Sequence, residues 1–391
     1  MKVKVPHVSQ KEFIFLISYT LYMVFWLLST TFYYEYYEGV LFRIIKLVCI
    51  TMLVLNEILY NKNSFRSVHG LALCAFIYII VIRNIGALSD VAMLLIFIYC
   101  GRNVSFLKVA KFTFTINSVT LIFTVGSAYL GIIPNYVEIT DGRYREYIGF
   151  TYALYPAAIL FDITALTIYI RKQKIKMLEL LILFLINWII FKKTNARLSF
   201  YMSLLMIAGA AFWKFFPSVL EKSRILHWGM ISSYIIAFLS SYYLIYNYNP
   251  DIVWLERLNK IFNNRLELAH KSLELYGTSL IGKNNMEWIG NGLNSSGKKL
   301  TGSYLWVDNL YISNLQKFGI LVAVIIIVLL TITLIKAFKI KDYYLMYILT
   351  FIAGRYMIDD LFLYLHYNTF WLATGTLLIG LKKYSRPQIE K

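Results

Sequence analysis

Apolar runs dominate the chain, and their lengths predict its elements. A stretch of roughly 17–25 apolar residues is long enough to cross the hydrocarbon core of a bilayer as a helix. About twelve candidate runs occur, some slightly short, at roughly 13–31, 40–60, 68–82, 86–101, 109–133, 148–170, 177–191, 195–213, 227–246, 317–335, 343–359 and 361–381. The third, fourth, seventh and eighth are short and read as tilted pairs or partial spans.

Between the runs, every second polar segment is basic. Lys2, Lys4 and Lys11 precede the first run, Lys62 and Arg66 follow the second, and Arg102 and Lys108 follow the fourth. Arg171, Lys172, Lys174 and Lys176 follow the sixth, and Lys214, Lys222 and Arg224 follow the eighth. Lys336, Lys339 and Lys341 follow the tenth, and Lys382, Lys383, Arg386 and Lys391 end the sequence. Basic loops stay in the cytoplasm, so this alternation predicts both termini there. The first loop on the opposite side, FYYEYYEG, carries Glu35 and Glu38 and no base. One missed span would break the alternation, which favours twelve spans over eleven or thirteen.

One polar segment is long, from 247 to 316, and falls outside. Asn249-Pro250-Asp251 reads as a helix start. Leu255, Leu258, Phe262, Leu266, Ala269 and Leu273 then recur at three- and four-residue steps. That stripe predicts one amphipathic helix lying on the membrane or over the bundle, stopped at Gly277. The Gly-, Asn- and Ser-rich stretch after it reads as irregular loop. The chain thus divides into a bundle of about nine spans over 1–246, the outer loop over 247–316, and about three further spans with a short tail over 317–391.

Composition sets the class. Of 391 residues, 59% are hydrophobic and 15% charged, against about 25% charged in soluble domains. Aromatic residues make up 17%, including 32 Tyr, and many lie near run ends, where amphipathic rings favour the interface. The predicted fold is an all-α integral membrane protein of the cell membrane. The opening MKVKVPHVSQK leads into the first run without a small-residue cleavage pattern, which predicts a signal anchor. The net charge of +18 would suggest nucleic acid in a soluble protein. Here the basic inner loops explain most of it, and no nucleic-acid partner is expected. Cys49, Cys74 and Cys100 are scattered through apolar stretches and form neither a disulfide framework nor a metal site. The chain has no phosphate-binding loop ending in Lys-Ser/Thr, no paired-His motif and no GxSxG elbow. Neither a metal nor a cofactor is predicted.

The informative charges are the bases on the outer side. These include Arg43, Arg83, Arg143, Arg145, Lys192, Lys193, Arg197, Arg257, Arg265, Lys271 and Arg355. Burying an unpaired guanidinium in a membrane protein costs several kcal/mol, so such a cluster at the outer face points to an anionic ligand. The planar fork of Arg suits phosphate. Some have plainer readings. Arg355 stands four residues before Asp359, a helical ion pair, and Lys192 and Lys193 fit interfacial anchors. Arg143 has Asp141 and Glu146 within reach. His270 follows Arg265 by five residues, so the two side chains diverge somewhat, yet both can still meet one substrate. A His is the usual base when a hydroxyl must lose a proton. His366 reads as a polar packing residue, Asp308 as a cap of the tenth span, and Asp90 and Asp162 as intramembrane carboxylates that are functional candidates by default.

Four segments carry a family resemblance: GRYREYIGFTYALYP, TNARLSF, NNRLELAHKSLELYGTSLIGKN and VDNLYISNLQKFGI. In this order the chain resembles a Wzy-type polysaccharide polymerase of the O-antigen polymerase and ligase superfamily. It departs from the family where Ala157 follows Pro156, a position often held by Asn. The resemblance implies a GT-C-like bundle and an enzyme acting at the outer leaflet. Such enzymes join undecaprenyl-pyrophosphate-linked oligosaccharide units into capsular or exopolysaccharide, without a cofactor. It implies Arg143, Arg145, Arg197 and Arg265 as pyrophosphate ligands and His270 as base. Asp308, Asn309 and Arg83 are further candidates. A flippase and a chain-length regulator would be partners. Three alternatives stay open: a flippase of the same lipid-linked sugar, a ligase that moves the finished glycan to another acceptor, and a structural or signalling membrane protein, against which the arginine cluster argues.

Overall fold

The computed structural model describes residues 9–60, 64–140, 143–299 and 301–380. Lys2, Lys4, Lys62, Asp141, Lys382, Lys383, Arg386 and Lys391 lie outside the described residues.

Among the described residues, the architecture is all-α apart from one small hairpin. Helices α1 (Gln10–Ser29), α2 (Val40–Tyr60), α3 (Phe65–Ile85), α4 (Asp90–Cys100) and α5 (Phe106–Tyr129) come first. An antiparallel pair, β1 (Val137–Thr140) and β2 (Arg143–Glu146), follows, with Glu138 opposite Arg145. Then come α6 (Tyr155–Arg171), α7 (Met177–Thr194), α8 (Arg197–Phe215), α9 (Pro217–Lys222), α10 (Arg224–Ile231) and α11 (Ser233–Tyr246). The segment 247–316 and the residue after it hold α12 (Val253–Ile261), α13 (Arg265–Tyr276) and α14 (Leu310–Lys317). Helices α15 (Gly319–Lys339), α16 (Tyr343–Tyr356) and α17 (Trp371–Leu378) complete the bundle.

Each predicted apolar run contains a helix, but the lengths do not give twelve full spans. Among the described residues, five helices are long and apolar enough to cross a membrane: α1, α3, α5, α8 and α15. A sixth arises if α10 and α11, bent by 54° at Ser232, form one broken span. Helices α2 and α7 carry too many charges to qualify, and α6 and α16 are too short. At 1.5 Å per residue, α4 rises only about 16 Å and α17 about 12 Å, roughly half of a hydrocarbon core. Ser89 starts α4 late, its hydroxyl accepting from Ala92 N. Before α17 the chain runs irregularly through 357–370, and this is tolerated because protein surrounds it. Asn368 Nδ2 and Trp371 Nε1 both donate to the Phe362 carbonyl, at 3.2 and 2.9 Å.

The bundle buries an aromatic knot of Phe15, Tyr19, Tyr22 and Phe97. Its outer surface is apolar: Ile122 on α5 is 72% exposed and Ile58 on α2 is 73% exposed. Side chains so placed face lipid at no cost, and with the long apolar helices they mark a membrane protein.

The segment 247–316 forms a cap over one end of the bundle. The amphipathic stripe is not one helix. Asn263 and Asn264 both take left-handed φ, at 55° and 62°, which Asn tolerates better than most residues, and they break it into α12 and α13. Gly277 ends α13, as its position predicts. Gln316 docks α13 on α14, accepting from Ser272 Oγ at 3.0 Å and donating to the Ser272 carbonyl at 2.9 Å. At the return to the membrane, Gly319 has φ +87, and a Cβ there would strike Gly282 N and the Leu280 carbonyl. Among its described residues, the stretch 277–309 has no helix, as its composition predicts.

Candidate functional site

Under the cap, a polar cavity of about 180 Å³ opens where β2, α8, α13 and α16 meet. Five arginines line it: Arg143, Arg145, Arg197, Arg265 and Arg355. Only two acids do, Asp308 and Asp359, so the lining carries three positive charges in excess.

Local structure explains each placement. Arg143 and Arg145 are two apart on β2, so their side chains leave the same face. The hairpin was not foreseen, because four-residue strands with an exposed apolar edge give no long alternating signal. Gly149, at φ +88, then turns the chain into α6 so closely that a Cβ would press on Thr124 and Ile133. Arg197 is the first residue of α8. The turn before it is made by Asn195 in the left-handed region, whose Oδ1 accepts from Arg197 Nε at 3.2 Å. Arg265 is the first residue of α13, fixed by the Asn263–Asn264 break. Arg143 Nη2 reaches across from the hairpin to Asn263 Oδ1 at 3.3 Å.

Arg265 Nε lies 3.2 Å from Asp308 Oδ2, and both side chains are about nine-tenths buried. Burial raises Asp308 to about 6, against the pull of Arg265. For Arg265 burial opposes the charge, but Asp308 and Asp359 more than offset it, so its pKa rises. Arg355 Nη2 donates to Asp359 Oδ2 and to Ser199 Oγ, both at 2.6 Å, which is the helical ion pair the spacing predicts. Arg145 Nε, Arg355 Nε and Arg355 Nη1 are buried without a hydrogen-bond partner among the described residues. Orphaned guanidinium donors in an electropositive cavity call for an anion with several oxygens.

Asp308, Asp359 and Asp360 hold carboxylate oxygens within 4.8 Å of one another, spacing that would also fit a cation. Each is already engaged: Asp308 by Arg265, Asp359 by Arg355, and Asp360 by Trp306 Nε1 at 3.2 Å. The excess charge around them is positive, which favours an anionic occupant over a metal ion.

The cavity gathers Arg143, Arg145, Arg197, Arg265 and Asp308 from the sequence candidates. His270 is elsewhere. Its Nδ1 is 2.8 Å from the Ile245 carbonyl, its Nε2 is 3.4 Å from Glu274 Oε1, and its ring packs on Tyr248. Arg83 is exposed in the last turn of α3 and is not among the cavity residues. Asp308 does not cap α14; Asn309 does, its Oδ1 accepting from Ile312 N at 3.1 Å. Its Nδ2 ties the cap to the Met357 carbonyl at 2.8 Å. Glu146 takes Lys193 at 2.9 Å and Tyr129 at 3.0 Å. Lys192 sits over Trp188, as an interfacial anchor would.

Asp90 pairs with Lys46 at 2.8 Å, Asp162 accepts from Asn117 and Thr369, and His366 packs on Trp26. These three residues serve the bundle, not the cavity. Sequence reasoning gave Arg355 a structural role only, and it passed over Asn195, Asn263, Tyr152 and Tyr304, which also line the cavity. Arg355 could have been found by asking why a buried pair faces the same end as the other arginines. The other four carry no signal in a single sequence. No family model matches this chain, and no curated protein and no solved structure matches it.

Proposed function

We propose that the cavity binds the diphosphate of a polyprenyl-linked oligosaccharide, and that the protein polymerises such units into capsular or exopolysaccharide. The observation that carries this reading is the convergence of five arginines, three of their buried donors unpartnered, on one polar cavity under the cap. A cavity of about 180 Å³ has room for a diphosphate group, while the glycan and the polyprenyl chain lie outside it. The twelve-span arrangement with cytoplasmic termini belongs to the same proposal and sets the cavity at the outer leaflet.

The reaction needs little from the protein besides charge and position. The donor glycan is already activated by its diphosphate. A hydroxyl of the acceptor unit attacks the anomeric carbon, the bond from that carbon to the phosphate oxygen breaks, and the polyprenyl diphosphate leaves with the electron pair. Arg145, Arg197 and Arg265, with Arg143, stabilise the charge that develops on it. The hydroxyl proton goes to Asp308, which at about 6 is ionised at neutral pH yet basic enough to accept it. This moves the base from His270 to Asp308, because His270 is turned away from the cavity. Motion of the cap would admit the next unit.

Deletion in the native host, followed by analysis of surface and lipid-linked glycans, tests this reading. Loss of polymer with single units still appearing outside supports it. Units held inside would make the protein a flippase, and full-length glycan left on its carrier would make it a ligase.

A further inference from the structure

A second cavity, of about 320 Å³, runs between α3, α4, α15 and α17. One end lies at the cap. There Asn84, near the end of α3, donates to the Ile281 carbonyl at 2.8 Å, and α15 starts at Gly319 against Gly282. Val81 and Phe318 line that end. Arg66, His69 and Lys336 line the other. At 1.5 Å per residue, Arg66 is roughly 27 Å along α3 from Asn84, and Lys336 roughly 25 Å along α15 from Gly319. The three bases therefore mark the end of the bundle away from the cap and the arginine cavity.

Between the ends the walls are apolar, with Leu73, Ile77, Val322, Ile326 and Leu329 among them. Among the described residues, no Asp or Glu lines the groove. Arg66 Nη1 donates to the Gly380 carbonyl at 3.4 Å and Lys336 Nζ to the Leu377 carbonyl at 3.2 Å. These bonds hold both cations at the groove mouth and leave further N–H donors on each. Glu57, an acid of the same bundle, is engaged by Arg102.

We propose that this groove binds an anionic phospholipid. Its phosphate sits on Arg66 and Lys336, and one acyl chain lies along the apolar walls. The shape and the charge act together. An apolar groove alone would accept any chain, whereas a cationic mouth without an acid selects a negative head group, and a guanidinium fork fits a phosphate. Basic pockets between helices at the cytoplasmic side of a membrane recognise such lipids, and the loop charges assign this end to that side. An acyl chain reaches about half of a hydrocarbon core of roughly 30 Å, the half nearest the bases. The inference shares the proposed orientation with the polymerase reading but none of its chemistry. A polyprenyl phosphate would present similar charge on a longer chain and is the rival occupant.

The test is native mass spectrometry of the full chain from mixed micelles. These hold equal phosphatidylglycerol and phosphatidylcholine, with undecaprenyl phosphate added in a second series. The wild type is expected to keep one phosphatidylglycerol in preference. The Arg66→Gln/Lys336→Gln double variant is expected to lose that preference by on the order of tenfold. Leu329→Trp, which fills the groove and keeps both charges, should lose the lipid as well. Monodisperse elution checks the fold of each, and Leu329→Trp carries the test if the double variant misfolds. Equal retention of phosphatidylcholine would overturn the proposal, as would unchanged retention in a folded variant or displacement of phosphatidylglycerol by undecaprenyl phosphate.

Discussion

The Arg265 guanidinium and the Asp308 carboxylate meet at 3.2 Å, joining the first turn of α13 to the last loop residues before α14. One ion pair therefore links the two chain segments that roof the cavity. It also sets a proposed phosphate ligand beside the proposed base.

Asp308→Asn keeps the shape and removes the proton acceptor. Polymerisation by this variant should fall about 10²- to 10⁴-fold while the lipid-linked unit still binds. Turnover and binding measured on the same purified sample check this. A loss confined to binding would remove Asp308 from the base role.

The pH profile follows from Asp308. Burial raises it to about 6, so the rate should rise tenfold per pH unit below about 6 and level off above. Stability runs the other way. A carboxylate whose pKa is raised on folding contributes stability that is present at low pH and lost as pH rises through about 6. A fall in rate toward pH 5 with an unchanged or higher melting temperature is the expected pair of results. A rate that is flat from pH 5 to 7 contradicts it.

Arg197→Lys keeps the charge and loses the planar fork. We expect turnover to drop at least about tenfold, because an ammonium cannot give two parallel hydrogen bonds to one diphosphate. Turnover equal to the wild type would reduce Arg197 to a surface charge.

His270→Ala should leave turnover near the wild-type level and cost about 1 kcal/mol of stability through its lost bond to the Ile245 carbonyl. An inactive but folded variant would return the base role to His270.

Gly319→Ala should destabilise the return of the cap to the bundle by about 1–3 kcal/mol, because φ +87 and the contact with Gly282 both oppose a Cβ. Thermal melting of the purified protein reads this directly.

Much of the bundle was legible in the sequence, because apolar length is a direct signal of a lipid-facing helix. Hydropathy sums cannot see where a run stops being helical. The last run reads as one span, yet Asp360, His366 and Asn368 within or beside it take protein partners and leave only α17 as helix. The stripe from Leu255 to Leu273 gave the right apolar face but hid the break, since Asn263 and Asn264 lie between stripe positions.

Four of the five cavity arginines were legible because a guanidinium beside an apolar run is expensive. The base was not. A step of five residues turns a helix by roughly 140°, which takes His270 off the face of Arg265. Asp308, adjacent to Asn309, looked like a cap until Asn309 proved to hold that place.

The most direct measurement is turnover by the purified protein in a defined bilayer, supplied only with polyprenyl-diphosphate-linked repeat units. The polymerase reading predicts a ladder of longer glycans, one polyprenyl diphosphate released for each linkage formed, and loss of both with Arg265→Ala. Folded wild-type protein that forms no linkage and releases no polyprenyl diphosphate, or an Arg265→Ala variant as fast as the wild type, would contradict it.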